Sequence, residues 1–149
     1  MVEILLKNKA DVNAKEKHSI SALYCASSQG HAAVVKQLVA ANAEVDSKDE
    51  KSITPLIQAS MCGHVEVVKL LLAAKANVHL DFEGATPLWC AAHDGHVKVV
   101  KLLLTAGAKV DAKSPVDDQD DREYTPLGVA KLKGHNDVVK ILKEYGAKD

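Results

Sequence analysis

From residue 65 to residue 73, apolar side chains fall at Val67, Val68, Leu71 and Leu72, with Glu66 and Lys69 between them. This i, i+1, i+4, i+5 spacing gathers the four on one helical face and leaves the charges on the other. The stripe returns beginning at Val34, Val99 and Val138, and each time a lysine follows the valine pair, at Lys36, Lys69, Lys101 and Lys140. A shorter apolar pattern precedes it. After Thr54-Pro55, Leu56, Ala59 and Ser60 share a face, and Gly63 stands where a left-handed residue ends a helix. Thr54 is suited to cap that helix, and Pro55 occupies its first turn, where a missing N–H costs nothing. The pattern predicts pairs of helices of roughly eight to ten residues, too short to stand alone in water.

The pairs repeat. Gly-His occurs at Gly30-His31, Gly63-His64, Gly95-His96 and Gly134-His135, in steps of 33, 32 and 39 residues. Ser21-Ala22-Leu23 is followed in the same rhythm by Thr-Pro-Leu beginning at Thr54, Thr86 and Thr125. We divide the single domain, 1–149, into a half unit (1–13) and four units (14–46, 47–79, 80–111, 112–149), each burying its neighbour's face. Met1 to Leu6 aligns with a second helix alone, either the remnant of a longer array, which we favour, or an N-terminal cap. Lys131 and Lys143 replace the small Ala92 and the apolar Leu104, giving the last unit the polar outer face of a terminal repeat. Gly107 and Gly146 are expected left-handed closures of second helices, with Lys9, Asn42 and Lys75 in the same place elsewhere.

The chain resembles the ankyrin-repeat family, whose unit of about 33 residues opens its first helix with Thr-Pro-Leu-His-x-Ala. The likeness rests on Thr54-Pro55-Leu56, Ala59, Gly63-His64, Val67-Val68, Leu71-Leu72, Ala76-Asn77-Val78 and their counterparts, and covers essentially the whole chain. The histidine of that signature is replaced throughout, by Tyr24, Ile57, Trp89 and Gly128. The resemblance implies an all-α solenoid of stacked helix-turn-helix units with projecting β-turn or hairpin loops. It also implies a protein–protein interaction module whose concave face, formed by loop tips and first helices, binds a partner.

Composition agrees: the 149 residues are 47% hydrophobic but only 3% aromatic, as thin layers packed from Ala, Val and Leu require. A formal net charge of -1 gives no general attraction to nucleic acid or an anionic membrane, and neither is expected as a partner. No apolar run approaches the ~20 residues that span a bilayer, and Met1 to Leu6, with Glu3, does not read as a secretory signal. Three cysteines without C-x-x-C spacing fit a reducing, cytoplasmic setting.

Seven histidines invite a metal, but four are the repeat histidines, on layers about 8–10 Å apart, and cannot converge on one ion. We assign no metal, no cofactor and no phosphate loop. Cys90 and His93, at i, i+3 beside Asp94, have the outline of a thiol nucleophile with a base; Cys25, at the equivalent position, has only Ser28. Cysteine as a small apolar filler is the simpler account, and we expect no catalysis.

The last unit carries six extra residues, with Asp117, Asp118, Asp120, Asp121 and Glu123 against Arg122. They lack the glycine and later glutamate of a calcium loop. Charge falls from one loop to the next: +1 over 14–20, 0 over 47–53, -2 over 80–85 and -3 over 112–124. A partner with the opposite gradient would be steered onto this edge.

Partner-binding candidates, carried over from the family's variable face, are Lys15, Lys17, His18, Ile20, Lys48, Lys51, Ile53, Met61, Phe82, His93, Arg122 and Tyr124. Trp89, with Tyr24 and Ile57 at equivalent positions, is the expected hot spot, and the acids Asp117, Asp118, Asp120 and Asp121 join it. We expect a monomeric adaptor or scaffold. A recognition segment of a larger multidomain protein is the alternative, and a thiol enzyme using Cys90 and His93 a remote one.

Overall fold

The computed structural model describes residues 11–115 and 123–148. Among them are eight α-helices in four pairs: α1 (Ala22–Ser28) and α2 (Ala32–Ala40), α3 (Pro55–Met61) and α4 (Val65–Ala73), α5 (Pro87–His93) and α6 (Val97–Thr105), α7 (Pro126–Leu132) and α8 (Asn136–Glu144). First helices have seven residues and second helices nine. First helices pack on first helices along the stack, second on second, and each pair closes on itself. The result is an all-α ankyrin-type solenoid.

Each first helix starts where a hydroxyl meets a bare N–H. Ser21, Thr54, Thr86 and Thr125 accept from the amides of Tyr24, Ile57, Trp89 and Gly128 at 3.1–3.3 Å. Each second helix closes on a residue with positive φ, namely Asn42 (62°), Lys75 (66°), Gly107 (88°) and Gly146 (90°). The next amide then returns to a carbonyl five residues back, as from Ala76 to Leu71 at 3.0 Å. The lysine therefore holds a conformation that suits glycine.

The main core runs the length of the stack. Leu56, Ala59, Val67, Val68 and Leu71 are buried from the second unit, as are their counterparts from the others except the half-buried Val34 and Val139, and Leu72 packs against them half-buried. A smaller cluster of Ile57, Ala85 and Cys90 lies beneath Ile53, Met61, Phe82 and Trp89. Among the loops between units, Lys15 bridges Ser21, Phe82 bridges Ala85, and in the last a two-residue strand β1 (Ser114–Pro115) pairs antiparallel with β2 (Glu123–Tyr124).

Glycine and histidine interlock successive units. His64 Nε2–H donates to the carbonyl of Ser28 (2.9 Å), His96 to Met61 (2.8 Å) and His135 to His93 (2.9 Å). Each acceptor is the last residue of the preceding first helix. The ring lies over the preceding unit's left-handed glycine: a Cβ built on Gly63 (φ 71°) would stand 2.6 Å from His96 Nδ1. These histidines are joints between layers. No group of three or more His, Cys, Asp or Glu among the described residues could hold a metal ion.

Candidate partner-binding surface

The edge formed by the hairpins and first helices carries most of the candidate residues. Lys15, Lys17, His18, Lys48 and Lys51 are exposed at hairpin tips. His18, with φ 66°, joins the first two hairpins twice: its carbonyl accepts from the Glu50 amide at 3.1 Å, and its Nδ1 meets Glu50 Oε2 at 2.7 Å. Asp49 shapes the second tip by accepting from the amides of Lys51 and Ile53 at 2.9 and 2.8 Å. Ile20, Ile53 and Phe82 are half-buried at hairpin bases.

On the first helices, Tyr24, Met61, Trp89 and His93 are half-buried. The Tyr24 hydroxyl donates to Gln58 Oε1 at 3.3 Å, joining the first two units. Burial first, and then the Asp49 carboxylate, push the Tyr24 phenol above its ordinary pKa of 10.0, so it stays a neutral donor near pH 7. Trp89 Nε1–H donates to the Tyr124 carbonyl of the next unit at 3.1 Å. One side of its ring stacks on His93, with centroids 5.2 Å apart and planes 23° from parallel. His93 Nδ1 is in turn held by Asp94 Oδ1 at 2.6 Å. Trp89 thus presents a fixed aromatic surface whose polar atom is already satisfied, and half-buried Tyr124 lies beside it.

Ile57 is a correction. It is 0% exposed, so it offers a partner nothing; Phe82, Met61 and Trp89 pack over the cluster it belongs to. Its position matches Tyr24 and Trp89 along the chain, but the larger neighbours close above it, and its role is to support them from below.

Half-buried Gln58 and exposed Asp94 lie along the same edge, although the sequence alone marked neither as a binding candidate. Gln58 links Tyr24 to Ser28, its Nε2 lying 3.5 Å from Ser28 Oγ, and Asp94 orients His93. A signal existed for Gln58, which is polar where the other units carry Cys25, Cys90 and Val129. Asp117, Asp118, Asp120, Asp121 and Arg122 lie outside the described residues.

The Cys90 and His93 pair lacks the chemistry of a thiol nucleophile. Cys90 is 3% exposed, and burial, with a smaller contribution from Asp94, pushes its thiol up to about 12. A nucleophile requires the opposite shift. His93 is occupied by Asp94 and Trp89, and Cys90 fills space beside Ile57 and Ala85. No helix among the described residues is long and apolar enough to cross a membrane.

The family model for ankyrin repeats matches three times, over residues 1–81, 23–114 and 75–149, and so spans the chain. No curated protein matches it.

Proposed function

The chain belongs to the ankyrin-repeat family, whose repeats are in general protein–protein interaction modules, and from that premise we propose that it is an adaptor or scaffold. It takes one protein partner on the concave face made by its hairpin tips and first helices. The observation that carries this reading is Trp89: half-buried, its indole N–H satisfied within the protein and its ring held by His93. An aromatic side chain already fixed in place loses little freedom on binding, and such residues dominate interface energetics. Tyr24, Met61, Phe82 and Tyr124 extend the same edge, with Lys15, Lys17, Lys48 and Lys51 at its first two hairpins.

The charge of the hairpins orients the partner. Lysines crowd the first, whereas the third carries Asp81 and Glu83 with no basic residue. A partner with the opposite sequence of charges approaches in one direction faster than in the other. The unpaired thiols Cys25, Cys62 and Cys90 suit a reducing, intracellular setting.

Trp89→Ala tests the reading against whichever protein the native chain captures. The variant should retain its helical circular dichroism and lose at least about 1 kcal/mol of affinity, roughly fivefold. Unchanged affinity in a folded variant would remove Trp89 from the interface and the reading with it. Neutralising Asp117, Asp118, Asp120 and Asp121 together should slow association and flatten its salt dependence. If neither changes, steering by these acids is wrong.

A further inference from the structure

Charge is spread unevenly over the edge to which Trp89 belongs. Between Lys75 and Lys98 the chain holds Asp81, Glu83 and Asp94 and neither lysine nor arginine, whereas the first two hairpins carry Lys15, Lys17, Lys48 and Lys51. The three acids are exposed, and they border an aromatic surface. Phe82, between two of them in the chain, packs over the cluster of Ile57, Ala85 and Cys90, as Trp89 does. Asp94 follows His93, whose ring stacks on Trp89.

The acids keep acceptors to spare. Asp81 Oδ1 accepts from the Gly84 amide at 2.8 Å, and Asp94 Oδ1 meets His93 Nδ1 at 2.6 Å. The second oxygen of each, and the whole Glu83 carboxylate, has no hydrogen-bond partner among the described residues. Trp89 is the reverse case, since its one polar atom is satisfied by the Tyr124 carbonyl and only ring surface is left to offer. A fixed aromatic face beside open carboxylates has one natural complement, a flat cation.

We propose that the partner bound at this edge lays an arginine on the Trp89 and His93 rings, with Asp94 and Glu83 receiving its N–H groups. The proposal rests on the reading of the hairpin edge as the binding surface and names the residue that the edge selects. Chemistry favours arginine over lysine. A guanidinium is planar and weakly hydrated, so it stacks on a ring while its rim donates to carboxylates; an ammonium is a compact charge that holds its water. The three acids also reject an acidic residue at this point, and the lysines of the first two hairpins reject a basic one there. The arginine therefore sets the register and direction of the partner along the stack.

Trp89 is the single tryptophan of the chain, so its fluorescence, excited beyond the tyrosine band, reports this site. The probes are acetylated tetra-arginine, tetra-lysine and tetra-glutamate amides, added to the full chain at low ionic strength. Tetra-arginine should change Trp89 emission saturably and bind at least threefold more tightly than tetra-lysine, and tetra-glutamate should have no effect. Asp94→Asn with Glu83→Gln should weaken tetra-arginine at least fivefold. Glu144→Gln, at an exposed position on α8, should leave it unchanged. Asp94→Asn also loosens His93, so Glu83→Gln is measured alone and should weaken the peptide at least twofold.

Three results overturn the proposal. One is the absence of a saturable change with tetra-arginine. Another is equal binding of the arginine and lysine peptides, which leaves charge without stacking. The third is a double variant that binds as the native chain does. If Trp89→Ala still weakens the captured partner when tetra-arginine fails, the edge remains the binding surface and only the arginine is wrong; if both fail, the reading of the edge falls with it.

Discussion

Gly63 and Gly134 end first helices with nearly the same backbone, φ 71° and 75°, but differ in what lies above them. A Cβ on Gly63 would meet His96 Nδ1, Cε1 and Cγ at 2.6, 2.7 and 2.9 Å, whereas a Cβ on Gly134 meets nothing within 4 Å among the described residues. Gly134→Ala therefore reports backbone strain alone, about 1 kcal/mol. Gly63→Ala carries the same strain and also drives the His96 ring from its seat, breaking the 2.8 Å bond to the Met61 carbonyl. A lost hydrogen bond and a carbonyl left without its partner add about 2 kcal/mol, for a total near 3 kcal/mol. With a urea dependence of about 2 kcal/mol per molar, the midpoints fall by about 0.5 M for Gly134→Ala and about 1.5 M for Gly63→Ala. His96→Ala alone should cost about 2 kcal/mol. Removing the ring gives the new methyl its space, so Gly63→Ala with His96→Ala should cost near 3 kcal/mol, not the 5 that additivity requires. Urea titration by far-ultraviolet circular dichroism measures all four proteins. Equal costs for the two glycine variants, or strict additivity in the double variant, would refute the interlock.

Other positions give simpler tests. Ser60 Oγ is buried and has no hydrogen-bond partner among the described residues, so Ser60→Ala should stabilise the protein by about 1 kcal/mol; a lower midpoint would show that the hydroxyl is satisfied in solution. Lys75 sits at φ 66° where Gly107 and Gly146 close the later units, and Lys75→Gly should raise the thermal midpoint by relieving about 1 kcal/mol of strain. An unchanged or lower midpoint removes that account. Cys90 should react with iodoacetamide far more slowly than Cys25 and Cys62 at neutral pH, and equal rates would contradict its burial. Because burial raises its pKa from 9.0 to about 12, the unfolded chain releases this proton first. The contribution of Cys90 to stability should accordingly be complete below pH 9 and fall as pH rises toward 12. Comparing Cys90→Ala with the native chain over that range isolates it, and parallel stability curves would show no such linkage.

Much of the architecture was readable one unit at a time. Thr54-Pro55 specifies a helix start because a hydroxyl and a missing N–H act within one turn, and Gly63 specifies its end because φ is a property of a single residue. The Val67, Val68, Leu71, Leu72 stripe marks a buried face by spacing alone. Even the left-handed Asn42 and Lys75 followed from alignment with Gly107 and Gly146. These are local consequences of sequence, and repetition stated each of them several times over.

What the sequence left open lies between units, where residues 25 or more positions apart meet. Ile57, Trp89 and Tyr24 occupy equivalent positions, but Ile57 is covered because Phe82 and Trp89 belong to the unit that follows it. The Trp89 indole finds its acceptor on Tyr124, 35 residues away. The repeated Gly-His pair was legible as a turn, but the glycine of one unit and the histidine of the next form a single joint. Sequence by itself determined the helices, their ends and their inward faces, because caps, φ preferences and amphipathic spacing act within a few residues. Tertiary structure alone decided which side chains remain at the surface, because that depends on which neighbouring layer lies above each one.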